Sequence, residues 1–162
     1  MASLPRAEGV RRSARAQHFR LAAVAVACVG WACEGPPPPP PSDPELRAEL
    51  GIPDDVAIHR VDLSGRGELT RVLPAVTEAR PGDVVQFVVL DNRVHLLRFA
   101  EDRIAGPRLE FLRETSQDRP PPLVERGARL VLTFEGAPQG SYHFRIEGNG
   151  APVAGEIRVT AP

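Results

Sequence analysis

Residues 140–159 constrain this chain more than any other stretch. They open on Gly140, place apolar residues at every second position (Tyr142, Phe144, Ile146), cross a loop with Gly148 and Gly150, and resume alternation with Ile157 and Val159. A period of two sends successive side chains to opposite faces of a strand, so this is a hairpin with one inward face. The same grammar runs upstream. Strands are expected over 56–63, 84–90, 94–99 and 128–134, with a turn at 64–67. Residues 69–80 are extended but broken by Pro74, which indicates an edge position or a bulge. Arg80-Pro81-Gly82-Asp83 has Pro and Gly where a type II turn takes them. The run 84–90 is the most β-rich in the chain and nearly all apolar, as a central strand is. Seven or eight short strands punctuated by Gly and Pro predict an all-β domain over 54–162, an antiparallel Greek-key β-sandwich.

What precedes that domain has a different character. Residues 1–20 carry five arginines against one glutamate, and an apolar run of 12 follows at 21–32. A basic start and a run this short fit a secretory signal, which needs about 7–15 apolar residues, better than a membrane span of about 20. Residues 1–32 are therefore expected to be a signal peptide and the chain to be exported. The run ends at Gly30-Trp31-Ala32-Cys33, which resembles the lipobox of a bacterial lipoprotein, making Cys33 the expected lipidation site and a membrane the expected partner. Ala25-Val26-Ala27-Cys28 is a second candidate, and an ordinary small-x-small cleavage site a third. Residues 33–53 form a linker: six prolines, 36–41, make a stiff extended spacer, and Ser42-Asp43-Pro44-Glu45 reads as a capping box opening a short helix to residue 50, with Gly51 ending it.

Composition removes several function classes. The formal charge is −1, all 20 basic residues are arginine, and beyond the N-terminal segment they are scattered among acids, so no nucleic-acid partner is expected. Both cysteines, Cys28 and Cys33, precede the domain, and the sole methionine is Met1. The domain thus has neither a disulfide nor a thiolate or thioether metal ligand. No Gly-x-Ser-x-Gly or phosphate-loop pattern is present, and the chain is not expected to be an enzyme.

Three pieces, in order, resemble the cupredoxins, the small copper proteins of the plastocyanin, amicyanin and azurin type. Residues 79–90 resemble the strand entry of that family, 91–99 the strand carrying its first copper histidine, and 140–159 its ligand hairpin, within a resemblance that spans about 80 residues, 79–159. The resemblance implies a copper-ligand position at His95. It places the family's cysteine at Ile146, its second histidine at Asn149, its methionine at Val153, and the glycine opening the last strand at Gly155. His95 and Asn149 are then expected to approach one another at one end of the sandwich. A blue-copper centre needs a thiolate and two imidazoles, and of the ligand positions that the resemblance implies only the one at His95 keeps its residue type.

Residues 104–125 depart from the small cupredoxins and are expected to be a covering segment, helical over 108–115, then a polar loop and an extended proline stretch. His143 should face solvent, and His59 should be structural or exposed. The resulting expectation is an exported, lipid-anchored, periplasmic or outer-surface cupredoxin-like module with no cofactor, binding an unknown envelope protein or small ligand. The alternative is a copper-binding relative, a metal carrier or electron-transfer protein, using His95 with Asn149 in an altered site.

Overall fold

The computed structural model describes residues 43–161. The expected signal peptide, both cysteines with the lipidation site at Cys33, and the proline tract lie outside the described residues. No described helix is long and apolar enough to cross a membrane.

Helix α1 (Pro44–Leu50) is followed by strands β1 (Ile58–Arg66), β2 (Leu69–Leu73), β3 (Val76–Ala79), β4 (Val84–Val89) and β5 (His95–Phe99). A single 3-10 turn (Glu101–Arg103) and helix α2 (Gly106–Glu114) lead to β6 (Arg129–Thr133), β7 (Gly140–Gly148) and β8 (Val153–Val159). The strands form two four-stranded sheets, ordered β2-β1-β4-β6 and β3-β8-β7-β5. Their inner faces meet in one core that contains Val61, Leu63, Val85 and Phe87 from the first sheet and Leu97, Tyr142, Phe144, Ile146 and Ile157 from the second. The all-β sandwich of eight strands is thus as expected.

Strand direction is where sequence and structure part. The β1–β4 and β3–β8 pairs are parallel, and the remaining pairs antiparallel. Alternation reports which face a side chain occupies; it is identical for parallel and antiparallel neighbours. Pro74 interrupts the extended run between β2 and β3, which lie at the edges of different sheets. Edge strands tolerate the missing donor. The chain then turns at 80–83, with Asp83 N–H donating to Arg80 C=O at 3.0 Å and Gly82 at φ 99°, and returns as β4 beside β1.

β1 runs past its expected end, pairing Gly65 with Thr70 and Arg66 with Leu69. A side chain at Gly65 would sit 2.9 Å from the Leu69 carbonyl oxygen, so this glycine is a close-approach residue in the ladder rather than a turn residue.

All six residues of β4 are buried. Its inward side chains join the main core, and Val84 on the other face lies under Leu46 of α1 with Ile58. Burial on both faces is what a parallel neighbour and a continuous apolar run imply. The helix is capped by Asp43, whose carboxylate accepts the Leu46 N–H at 2.9 Å, with Pro44 at the first helical position, and Ser42 of the expected capping box lies outside the described residues. Gln86 Nε2, fully buried, donates to the same Asp43 carboxylate at 3.3 Å and ties helix to sheet.

Residues 100–128 carry the chain from the β5 edge of one sheet to the β6 edge of the other. Phe111, Leu112 and Leu123 enter the core, so the segment covers the open side as expected. It also satisfies edge backbone groups. Leu123 exchanges two 2.8 Å backbone bonds with His95, and the Gln117 side-chain amide accepts from Thr133 N–H at 2.8 Å and donates to its carbonyl at 3.1 Å. One primary amide here replaces a neighbouring strand.

Tyr142 lies fully buried among Phe111 and Phe134, and its hydroxyl donates to the Pro138 carbonyl at 2.7 Å. Burial pushes its phenol from 10.0 up to about 12, against a smaller opposing pull from Arg108. The raised folded value means that the contribution is fully present below pH 10 and falls as pH rises from 10 through about 12. The chain has one tyrosine and no lysine, so this is a clean window. Absorbance titration should give one phenolate midpoint near 12, with denaturant midpoints falling over the same range; ionisation at 10 with the protein still folded would contradict this packing.

Candidate functional site

β4 leaves the core at one end of the sandwich, and the next turn brings Asp91 and His95 together. Asp91 Oδ1 accepts from Arg93 N–H at 3.0 Å and lies 2.9 Å from His95 Nε2. Arg93 in turn donates to the Gly67 carbonyl at 2.6 Å, linking this loop to the β1–β2 turn. Burial pushes the Asp91 carboxyl up, but the hydrogen bonds from His95 and the Arg93 backbone, with the His95 charge and the Gly65 backbone, outweigh it and hold the group below its ordinary 3.8. A depressed carboxylate stabilises the fold above the ordinary range, and that contribution is lost as pH falls below it.

His95 is 2% exposed. An ionised carboxylate only accepts, so Nε2 carries the proton shared with Asp91, and in the neutral ring Nδ1 holds the lone pair. Nδ1 and Asp91 Oδ2 are both buried with no hydrogen-bond partner among the described residues.

The other residues that the resemblance singles out lie on β7, on β8 and in the loop between them. Ile146 is fully buried and sits in register with Leu97 on one side and Val153 on the other. His95 is in register with Gly148, where any side chain would overlap the Val94 carbonyl oxygen. Asn149 is one residue further on, at the same end, but exposed. The fold therefore brings His95 and Asn149 to one end without hydrogen bonding them. Gly155 faces the Phe144 ring in register, leaving room that a side chain would take. Among the described residues, no group of three His, Cys, Asp or Glu is arranged to hold a metal ion.

The other described histidines are elsewhere. His59 Nε2 lies 2.8 Å from Asp83 Oδ2, which also accepts the Arg80 N–H at 2.8 Å, at the opposite end of β4. This pair borders an open cavity of about 520 Å³ with Asp55 and Glu78. His143 stands on the outer face of β7 opposite Glu156, as alternation requires. The aspartate partners of His59 and His95 were not visible as such in sequence. Asp83 is 24 residues from its histidine, and the four-residue spacing of Asp91 and His95 spans a turn.

The pairing of its strands defines the class: a β-sandwich of two mixed four-stranded sheets. No family model and no curated protein matches the chain. Among solved structures, the chain is similar to an amicyanin from Paracoccus versutus at 18% identity and a TM-score of 0.46, over 68% of this chain and 87% of that one. A pseudoazurin from Methylobacterium extorquens is 18% identical with a TM-score of 0.42, over 63% and 74% respectively. A purple cupredoxin from Nitrosopumilus maritimus is 14% identical with a TM-score of 0.42, over 63% and 99%.

Proposed function

We propose that this is a cupredoxin-like domain without a blue-copper centre, exported and held at a membrane through Cys33, that acts as a binding or structural module of the cell envelope. The observation that carries the reading is the content of the His95 end. Ile146 and Val153 fill with hydrocarbon the positions that the resemblance gives to sulfur ligands, and the imidazole is already tied to Asp91. One imidazole nitrogen is not a type 1 donor set, so the residues present do not fit that metal site. In its place the end is held by side-chain and backbone bonds: Asp91 to His95, Arg93 to Gly67, and Leu123 to His95. Burying an isoleucine at the centre adds about 1.5–3 kcal/mol, which removes the need for a metal to order the loop. No nucleophile or acid–base group of an enzyme is assigned in this reading.

The buried, partnerless Nδ1 of His95 favours a second reading, a carrier binding Cu(II) weakly through that nitrogen. Thermal melting of the full chain with Cu(II) separates the two. The binding module should shift by about a degree or less. A carrier at 100 times its Kd gains about 2.7 kcal/mol, a rise of more than about 10 °C for a domain this size. Because Cys28 and Cys33 precede the domain, only a rise abolished by His95→Gln counts, and that result would replace the first reading with the second.

A further inference from the structure

Arg98 on β5 and Arg145 on β7 are register partners in the antiparallel β5–β7 pair, and both point away from the core. Like charges placed directly opposite on one face of a sheet are destabilising. The polar loop of the covering segment adds a third guanidinium, Arg119, and the three border a cavity of about 430 Å³ together with Phe99, Glu101 and Asp118. The carboxylates nearby are largely committed. Glu101 accepts from Arg113 at 2.7 Å, Arg145 pairs with Glu147, and Asp118 lies 3.7 Å from Arg119. Arg98 is half-buried and, among the described residues, has no carboxylate oxygen within 4.0 Å of it, although it stands opposite another arginine.

We propose that this cavity binds a small oxyanion, a phosphate or carboxylate group, gripped between Arg98 and Arg145 and closed over by Arg119. Guanidinium forks match the geometry of such groups, and charge-assisted bonds of this kind are the strong ones. The volume falls in the range of about 300–1,000 Å³ that holds small ligands. An anion seated there relieves the opposition of the two guanidinium groups and supplies Arg98 with a counter-charge. The site lies on the outer face of the sheet, whereas His95 faces inward, so it stands whether or not a metal binds at His95.

Inorganic phosphate and succinate, each compared with sodium chloride at equal ionic strength, are the probes. Thermal melting and isothermal titration of the full chain should show stabilisation beyond chloride by at least one of them, and the tighter of the two identifies the headgroup class. Arg98→Gln should weaken that binding about tenfold or more, the loss expected for one charged hydrogen-bond pair, and Arg119→Gln should weaken it less. Without the anion, Arg98→Gln should melt no lower than the parent, because it removes one of two opposed charges. Equal responses to chloride and to both probes would overturn the proposal. So would binding that Arg98→Gln leaves unchanged, or an Arg98→Gln variant that melts well below the parent without anion.

Discussion

Replacing Phe87 with alanine should cost about 3–5 kcal/mol, enough to leave a domain of ordinary stability close to unfolded. The side chain is fully buried at the middle of β4, and its ring meets Phe144 edge-on at 5.3 Å between centroids with an 89° interplanar angle. Phe87 belongs to the first sheet and Phe144 to the second, so the pair is a tie between layers. Its loss opens a cavity with rigid walls, since Val61 and Leu130 hold the neighbouring strands in register with it. Relaxation is therefore limited and the cost should fall in the upper part of the large-to-small range. Urea unfolding of the variant measures it, and a loss under about 1 kcal/mol would mean that the ring is not at the sheet interface.

Leu112→Ala is the second large effect, expected to cost about 2–5 kcal/mol. This residue sits on α2, in a connection that a sequence reading treats as a cover, yet it is fully buried in the main core. The carbonyl of Leu112 also accepts the N–H groups of Gln117 and Asp118, at 2.7 and 3.1 Å, so the helix end and the polar loop after it are anchored at the same place. Loss of the side chain should loosen that loop, and with it the Gln117 amide that caps the β6 edge. Amide exchange at Thr133 should then accelerate more than global destabilisation alone requires. If urea unfolding of Leu112→Ala is unchanged, the segment lies on the surface and closes nothing.

How much of this was legible beforehand depends on the range of the signal. Periodicity and punctuation located the strands to within a few residues, because each strand writes its own alternation and each turn its own Gly and Pro. They assigned inward faces correctly to Tyr142, Phe144, Ile146 and Ile157, and they named 84–90 as central, which the burial of every residue of β4 bears out. Pro74 marked the break between two edge strands for a stated reason, the lost donor. The extent of β1 is not legible in the sequence, because Gly65 looks the same in a turn and in a crowded ladder. Only the neighbouring Leu69 carbonyl distinguishes them.

At the His95 end, the donor chemistry is written in the residue types alone. Side-chain type is fixed before folding, and without cysteine or methionine after residue 33 no arrangement of the domain can supply sulfur. Tertiary structure alone decided the rest. Whether β1 and β4 run parallel, that Asp83 meets His59, that Gln117 stands in for a strand, and that Arg98 and Arg145 share a register are all relations between segments distant in sequence. Local patterns carry the face and the turn of each element; partner and direction come from burying all of those faces at once, which is a property of the packed chain and of no single stretch of it.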